Sequence, residues 1–156
     1  MKIKPLDSFL ASHAFFEGLT ADDLTLIAGC GRPMPFASGQ MLAHEGDPAD
    51  LFYVIREGTV AFEIHDPRRG GLVIDTAGPG EVVGYSWIFP PYRWQVDVRA
   101  TTPVRAIVLD GACLRGKCED DPRLGFALMK RCAVLLQQRL DSARLRLVDV
   151  YGTRAG

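Results

Sequence analysis

The sequence predicts a mainly β fold, a double-stranded β-helix (a jelly-roll-like β-roll) with helices before it and one long helix after it. Three observations carry this. Strand-like runs broken by glycine and proline recur at roughly 8–12 residue spacing between Arg32 and Asp110. No helix-length segment separates those runs, which excludes a parallel α/β sheet. From Gly111 onward the apolar residues change to helical steps of four and three.

The elements follow in order. LDSFLASHAFFEGL (6–19) reads as a short helix ending at Gly18. Thr20 then caps a second helix, with Asp22 and Asp23 complementing its dipole and Leu19 and Leu24 placed as a hydrophobic staple. That helix breaks at Gly29–Gly31. The strands predicted next are LFYVI (51–55), TVAFEI (59–64), LVIDT (72–76), WQVDVRA (94–100) and TPVRAIVLD (102–110). In WQVDVRA the alternation puts Trp94, Val96, Val98 and Ala100 on one face. Residues 1–31 thus form N-terminal helices and 32–110 the roll; 111–156 hold C-terminal helices, including a long one over 122–151.

Asp121 is a good N-cap for that long helix, with Pro122 at its first position. Met129, Ala133, Leu136, Leu140, Ala143, Leu147 and Val150 form a seam close to the coiled-coil period for about three heptads. Leu124, Leu128 and Leu135 lie off the seam and are free to pack on the roll. About 29 residues of helix extend about 43 Å, more than a small roll can bury. The seam therefore predicts a homodimer; the competing reading folds the whole helix back on its own domain. The basic residues of this stretch (Lys130, Arg131, Arg139, Arg144, Arg146) read as a solvated face.

A chain of 156 residues with 47% apolar and 24% charged content fits one compact domain with a helical appendage. A net charge of −1 gives no general attraction to DNA or anionic membranes. No apolar run approaches the ~20 residues of a membrane span, and MKIKPLDSFLASH has no signal-peptide core, so a cytoplasmic location is expected. The four cysteines, Cys30, Cys113, Cys118 and Cys132, form no CxxC pair and lie far from His13, His44 and His65. No metal site is expected, and the thiols read as buried and reduced, with Cys113 and Cys118 the pair to consider on oxidation.

Several stretches resemble the cyclic nucleotide-binding domain of the catabolite-activator and oxygen-response regulator family. They are FFEGLTADDLTLIA (15–28), EGDPADLFYVIREGTVAFE (45–63), PGEVVG (79–84), VRA (98–100) and DDPRLGFALMKR (120–131). The resemblance implies a phosphate-binding cassette over 79–100. There a cyclic phosphate sits on backbone N–H groups at a short helix start, an arginine neutralises it, and a glutamate accepts the ribose hydroxyl. It also implies a helix-turn-helix DNA reader, which no segment of these residues matches, so direct DNA binding is not expected.

Both side-chain roles of the cassette are replaced here. Tyr85 stands at the glutamate position and Trp94, counted back from VRA, at the arginine position; Arg93 is one residue early, on the opposite face of a regular strand. Two charged hydrogen bonds at roughly 1.5–3 kcal/mol each are lost, which weakens the usual cyclic AMP affinity by about two to four powers of ten. The ligand-contacting candidates are Gly84, Tyr85, Ser86, Trp87, Arg93, Trp94 and Gln95. Their aromatics, with Tyr92, serve either as stacking walls for a purine or as plugs filling the hole.

The expected function is a non-catalytic, regulatory cyclic nucleotide-binding-like sensor that takes a nucleotide or other small anion. The alternative is a ligand-free dimeric adaptor docking a protein partner, which requires a closed aromatic plug between residues 85 and 94. A metal-dependent enzyme on this fold needs clustered ligands, and His44–Glu45 alone does not supply them.

Overall fold

The computed structural model describes residues 6–152, so the extreme ends of the first and last predicted regions lie outside the described residues. The order is α1 (Leu6–Ala11), α2 (Ala21–Ala28), β1 (Gly31–Phe36), β2 (Met41–Ala43), β3 (Leu51–Glu57), β4 (Val60–Asp66), β5 (Gly70–Ala77), β6 (Val82–Val83), β7 (Asp97–Ala100), β8 (Val104–Asp110), α3 (Gly111–Asp120) and α4 (Pro122–Gly152). Two antiparallel four-stranded sheets, ordered β1-β8-β3-β6 and β2-β7-β4-β5, face each other as the predicted jelly roll.

The first sheet is buried on both sides. On β3, Tyr53 and Ile55 point into the roll, while Phe52 and Val54 point out beneath the helices. On β8, Val104, Ala106 and Val108 face in, and Ile107 and Leu109 face out. This two-sided burial explains the continuous apolar runs LFYVI (51–55) in β3 and AIVL (106–109) in β8. The outer layer is built by Leu10, Phe16, Leu24, Ile27, Leu114, Leu124 and Leu128 from the four helices and the turn between the first two. Leu124 and Leu128 seat the first half of α4 there, with Cys132, whose thiol burial pushes up to about 12.

Three expectations need correction. The segment 6–19 is not one helix: α1 stops at Ala11, and His13 caps a separate 3₁₀ turn over Ala14–Phe16, its Nδ1 accepting from Phe15 N–H at 3.3 Å. The His13 ring is buried, which lowers its pKa and keeps it neutral. Strand β7 begins at Asp97 rather than Trp94, because Trp94 pairs instead with the 46–47 turn: its N–H reaches Asp47 O, and its carbonyl accepts from Gly46 N–H, both at 2.9 Å. The predicted facing is nevertheless observed, since Trp94, Val98 and Ala100 are buried in the roll and Val96 packs against it. Finally, Cys30 and Cys113 form a disulfide. The β1–β8 register sets Gly31 across from Leu109, which brings the end of α2 beside the first turn of α3. Cys113 and Cys118, five residues apart on one helix, point in different directions; Cys118 and Cys132 are free.

The second helix starts as predicted. Thr20 Oγ1 accepts from Asp23 N–H at 3.1 Å, and Asp23 Oδ2 accepts from Thr20 N–H at 3.2 Å. Asp23 is buried and is also gripped by Arg123 from the first turn of α4. The hydrogen bond from Arg123 holds its carboxyl below the ordinary carboxylate value. A lowered folded-state pKa stabilises the fold above the unfolded value, and that contribution is lost as pH falls through the folded one. Between about pH 5 and 2, the urea midpoint of the native chain should therefore fall more steeply than that of Asp23→Asn. Parallel pH profiles would show that the Arg123 grip contributes nothing.

Candidate functional site

After β6 the chain turns on Gly84, whose φ of 95° lies in the left-handed region that favours glycine, and enters a 3₁₀ turn over Tyr85–Trp87. The turn splits its aromatics. Trp87 is fully buried in the helical layer against Phe52, ring centroids 5.7 Å apart. Tyr85 faces the opposite side and sits beside Phe89. Arg115 of α3 clamps the segment, donating to Trp87 O at 2.7 Å and stacking 4.7 Å over the Tyr92 ring.

Trp94 closes the cradle. Its ring lies against Gly84 so tightly that a Cβ there would overlap Cη2 and come 3.0 Å from Cζ2. The indole also packs near Tyr53 and is almost fully buried. Arg93 points the other way, as strand parity requires: it is exposed, and its Nη1 donates to Gly46 O at 2.9 Å. The position the resemblance reserves for a phosphate-binding arginine thus holds an inward ring, and the nearby guanidinium is on the outer surface.

Beside the filled cradle a cavity of about 630 Å³ remains. Its walls are Phe62, Val73, Ile74 and Asp75 of β4 and β5; Gly84, Tyr85 and Ser86; Trp94, Gln95 and Val96; and Arg139, Ala143, Arg146, Leu147 and Val150 of α4. Gly84, Tyr85, Ser86, Trp94 and Gln95 are therefore brought together as expected. Trp87 and Arg93 are not, for the reasons just given.

The polar feature of this cavity went unrecognised in the sequence. Asp75 lies across from Phe62 in the β4–β5 register. Its Oδ2 accepts from Arg139 Nη1 and its Oδ1 from Arg146 Nη2, each at 3.0 Å, and Oδ1 also takes Thr76 N–H at 2.8 Å. The Arg139 guanidinium stacks 4.4 Å over the Phe62 ring, with its Nε buried and unpartnered. Burial raises the Tyr85 phenol pKa, an effect that the Arg139 charge partly offsets. Arg139 and Arg146 thus do not belong to a freely solvated basic face, and Arg131 likewise ties back to Glu17 O. Their spacing of two helical turns, on the same face as Ala143 and Val150, was the available signal. Within the predicted seam, Ala143, Leu147 and Val150 line this cavity, while Met129, Ala133, Leu136 and Leu140 are exposed elsewhere on α4. Among the described residues no cluster of His, Cys, Asp and Glu could hold a metal, and no helix is long and apolar enough to cross a membrane.

A family model described as the cyclic nucleotide-binding domain matches residues 33–121. A CRP-like cAMP-activated global transcriptional regulator of Mycobacterium tuberculosis is 26% identical over 148 residues, 95% of this chain; the chain spans only 64% of that regulator's length. The crystal structure of a protein from Geobacter metallireducens, named as cyclic nucleotide-binding, superposes with a TM-score of 0.79 at 30% identity, covering 89% of this chain and 99% of that one. The N-terminal domain of a transcriptional regulator from Streptomyces coelicolor gives a TM-score of 0.68 at 26% identity over 85% and 93% of the two chains.

The Trp94–Gly84 contact makes a direct prediction. Gly84→Ala must strain a left-handed residue and push the indole away, at a cost of about 2 kcal/mol or more. A chemical-denaturation midpoint equal to that of the native chain would show that Trp94 does not pack against Gly84.

Proposed function

The chain belongs to the cyclic nucleotide-binding domain family, and from that membership we propose that it is a non-catalytic regulatory sensor. A small anionic ligand enters the cavity between the roll and α4, and its occupancy is passed on through that helix. The supporting observation is the Asp75–Arg139–Arg146 contact, which ties α4 directly to the cavity wall. A ligand that touches either arginine changes what holds the helix.

The replacement of the cassette's ionic side chains by Tyr85 and Trp94 argues that cyclic AMP is at best a weak ligand. A ligand-free adaptor would need the space between residues 85 and 94 closed. Trp94 does fill the cradle, but the cavity beside it favours the sensor. Met129, Ala133, Leu136 and Leu140 present an apolar stripe on α4, with Leu136 37% and Leu140 50% exposed, which suits a helix-to-helix homodimer. Ala143 and Leu147 belong to both the seam and the cavity wall, so dimerisation and occupancy are coupled.

A thermal-shift panel of cyclic AMP, cyclic GMP, other nucleotides, inorganic anions and organic acids tests the sensor reading. A true ligand stabilises the fold by roughly 2.7 kcal/mol at a hundredfold excess over its dissociation constant. No response to any member would retire the reading. Sedimentation equilibrium tests the dimer: the native chain should sediment as two copies, and Leu136→Glu with Leu140→Glu as one. A monomeric native chain would remove the helix-to-helix interface.

A further inference from the structure

We infer that the cavity is built for an amphipathic organic monoacid, one carboxylate on an aromatic or acyl body, rather than for a nucleotide. This rests on the sensor reading and names its ligand class.

Charge sets the anionic end. Two guanidinium groups reach the cavity wall, and Asp75 is the only carboxylate lining it among the described residues. Asp75 engages one Nη of each arginine, Arg139 Nη1 and Arg146 Nη2. The buried Nε of Arg139 has no partner. One positive charge at the wall is thus in excess, and each guanidinium keeps a terminal nitrogen that Asp75 does not hold, Nη2 of Arg139 and Nη1 of Arg146. A single added carboxylate neutralises the excess and accepts from those two nitrogens, while Asp75 keeps its own bonds. A dianion would overshoot the balance.

The remaining walls set the other end. Val73, Ile74, Val96, Trp94 and Leu147 offer carbon, with polar atoms confined to Tyr85, Ser86 and Gln95. A nucleotide whose phosphate used the arginines would find only Tyr85, Ser86 and Gln95 for its ribose hydroxyls and base edges and would lay the rest of its polar atoms against carbon, at a desolvation cost that an alkyl or aryl body avoids. The alternative place for a phosphate, the turn at Gly84, has the indole of Trp94 packed against the glycine, which leaves less room there. An alkyl chain or fused aromatic ring meets neither objection, and a volume of about 630 Å³ accommodates either.

Isothermal titration of the full chain with octanoate, 1-naphthylacetate, the neutral 1-naphthylacetamide and cyclic AMP tests this. At least one acid should bind saturably, with the naphthyl amide at least tenfold weaker than its acid and cyclic AMP at least tenfold weaker than the better acid. Which acid binds more tightly tells whether the body is acyl or aromatic. Arg139→Gln should lose at least tenfold in acid affinity. Val73→Glu, a change at a 60% exposed position that leaves the fold intact, should do the same. Equal binding of acid and amide, tighter binding of cyclic AMP, unchanged affinity in both variants, or no uptake of either acid would overturn the ligand class. If nucleotides or inorganic anions still shift the melting temperature, only the class has failed. If nothing in the wider panel does, the sensor reading fails with it.

Discussion

Burial of the β1-β8-β3-β6 sheet on both faces governs the arrangement of everything around it. Its inner face closes the roll through Tyr53, Ile55, Ala106 and Val108, and its outer face must be covered by helices. Leu124, Leu128 and Cys132 commit the first half of α4 to that outer layer. Since α4 runs unbroken from Pro122 to Gly152, its second half is carried past the layer to β5, the edge strand of the other sheet. There Asp75 meets Arg139 and Arg146. The cavity lies where a long unbroken helix anchored on one sheet passes the edge of the other.

The cradle shows how one residue's parity redirects a binding site. Trp94 and Arg93 are neighbours, so only one can face inward on an extended chain, and the burial of Trp94 with Tyr53 and Val98 decides which. Arg93 is left to satisfy Gly46 O at the surface. With an indole over Gly84, a ring occupies the side of the turn that the resemblance gives to an arginine, and the charge of the cavity lies instead on β5 and α4.

Much of this was legible in the sequence, and what was not has specific causes. The period-two alternation of WQVDVRA showed which way Trp94 faces, and the Thr20 box and Asp121–Pro122 marked helix starts that the hydrogen bonds reproduce. Strand β1 was hidden because Pro33 and Pro35 break its pattern; they are tolerated because β1 is an edge, with one side of its backbone unpaired. The Asp75–Arg139 pair and the Cys30–Cys113 disulfide join residues 64 and 83 positions apart, and local periodicity carries no information about such pairings. The family resemblance supplied the cassette, whose members are contiguous, but could not supply the opposite wall of the cavity.

The two halves of α4 are held by forces of different kind. Leu124 and Leu128, fully buried beside Cys132, fix the first half, each leucine contributing roughly 1.5–3 kcal/mol. The second half is held at the cavity by one carboxylate shared by two arginines and by the stack of Arg139 on Phe62. The pair to the half-exposed Arg146 is the weaker of the two, at about 0–1 kcal/mol. On the sensor reading proposed above, a ligand at the cavity would leave the anchor seated and act on the distal turns, where Ala143 and Leu147 line the wall.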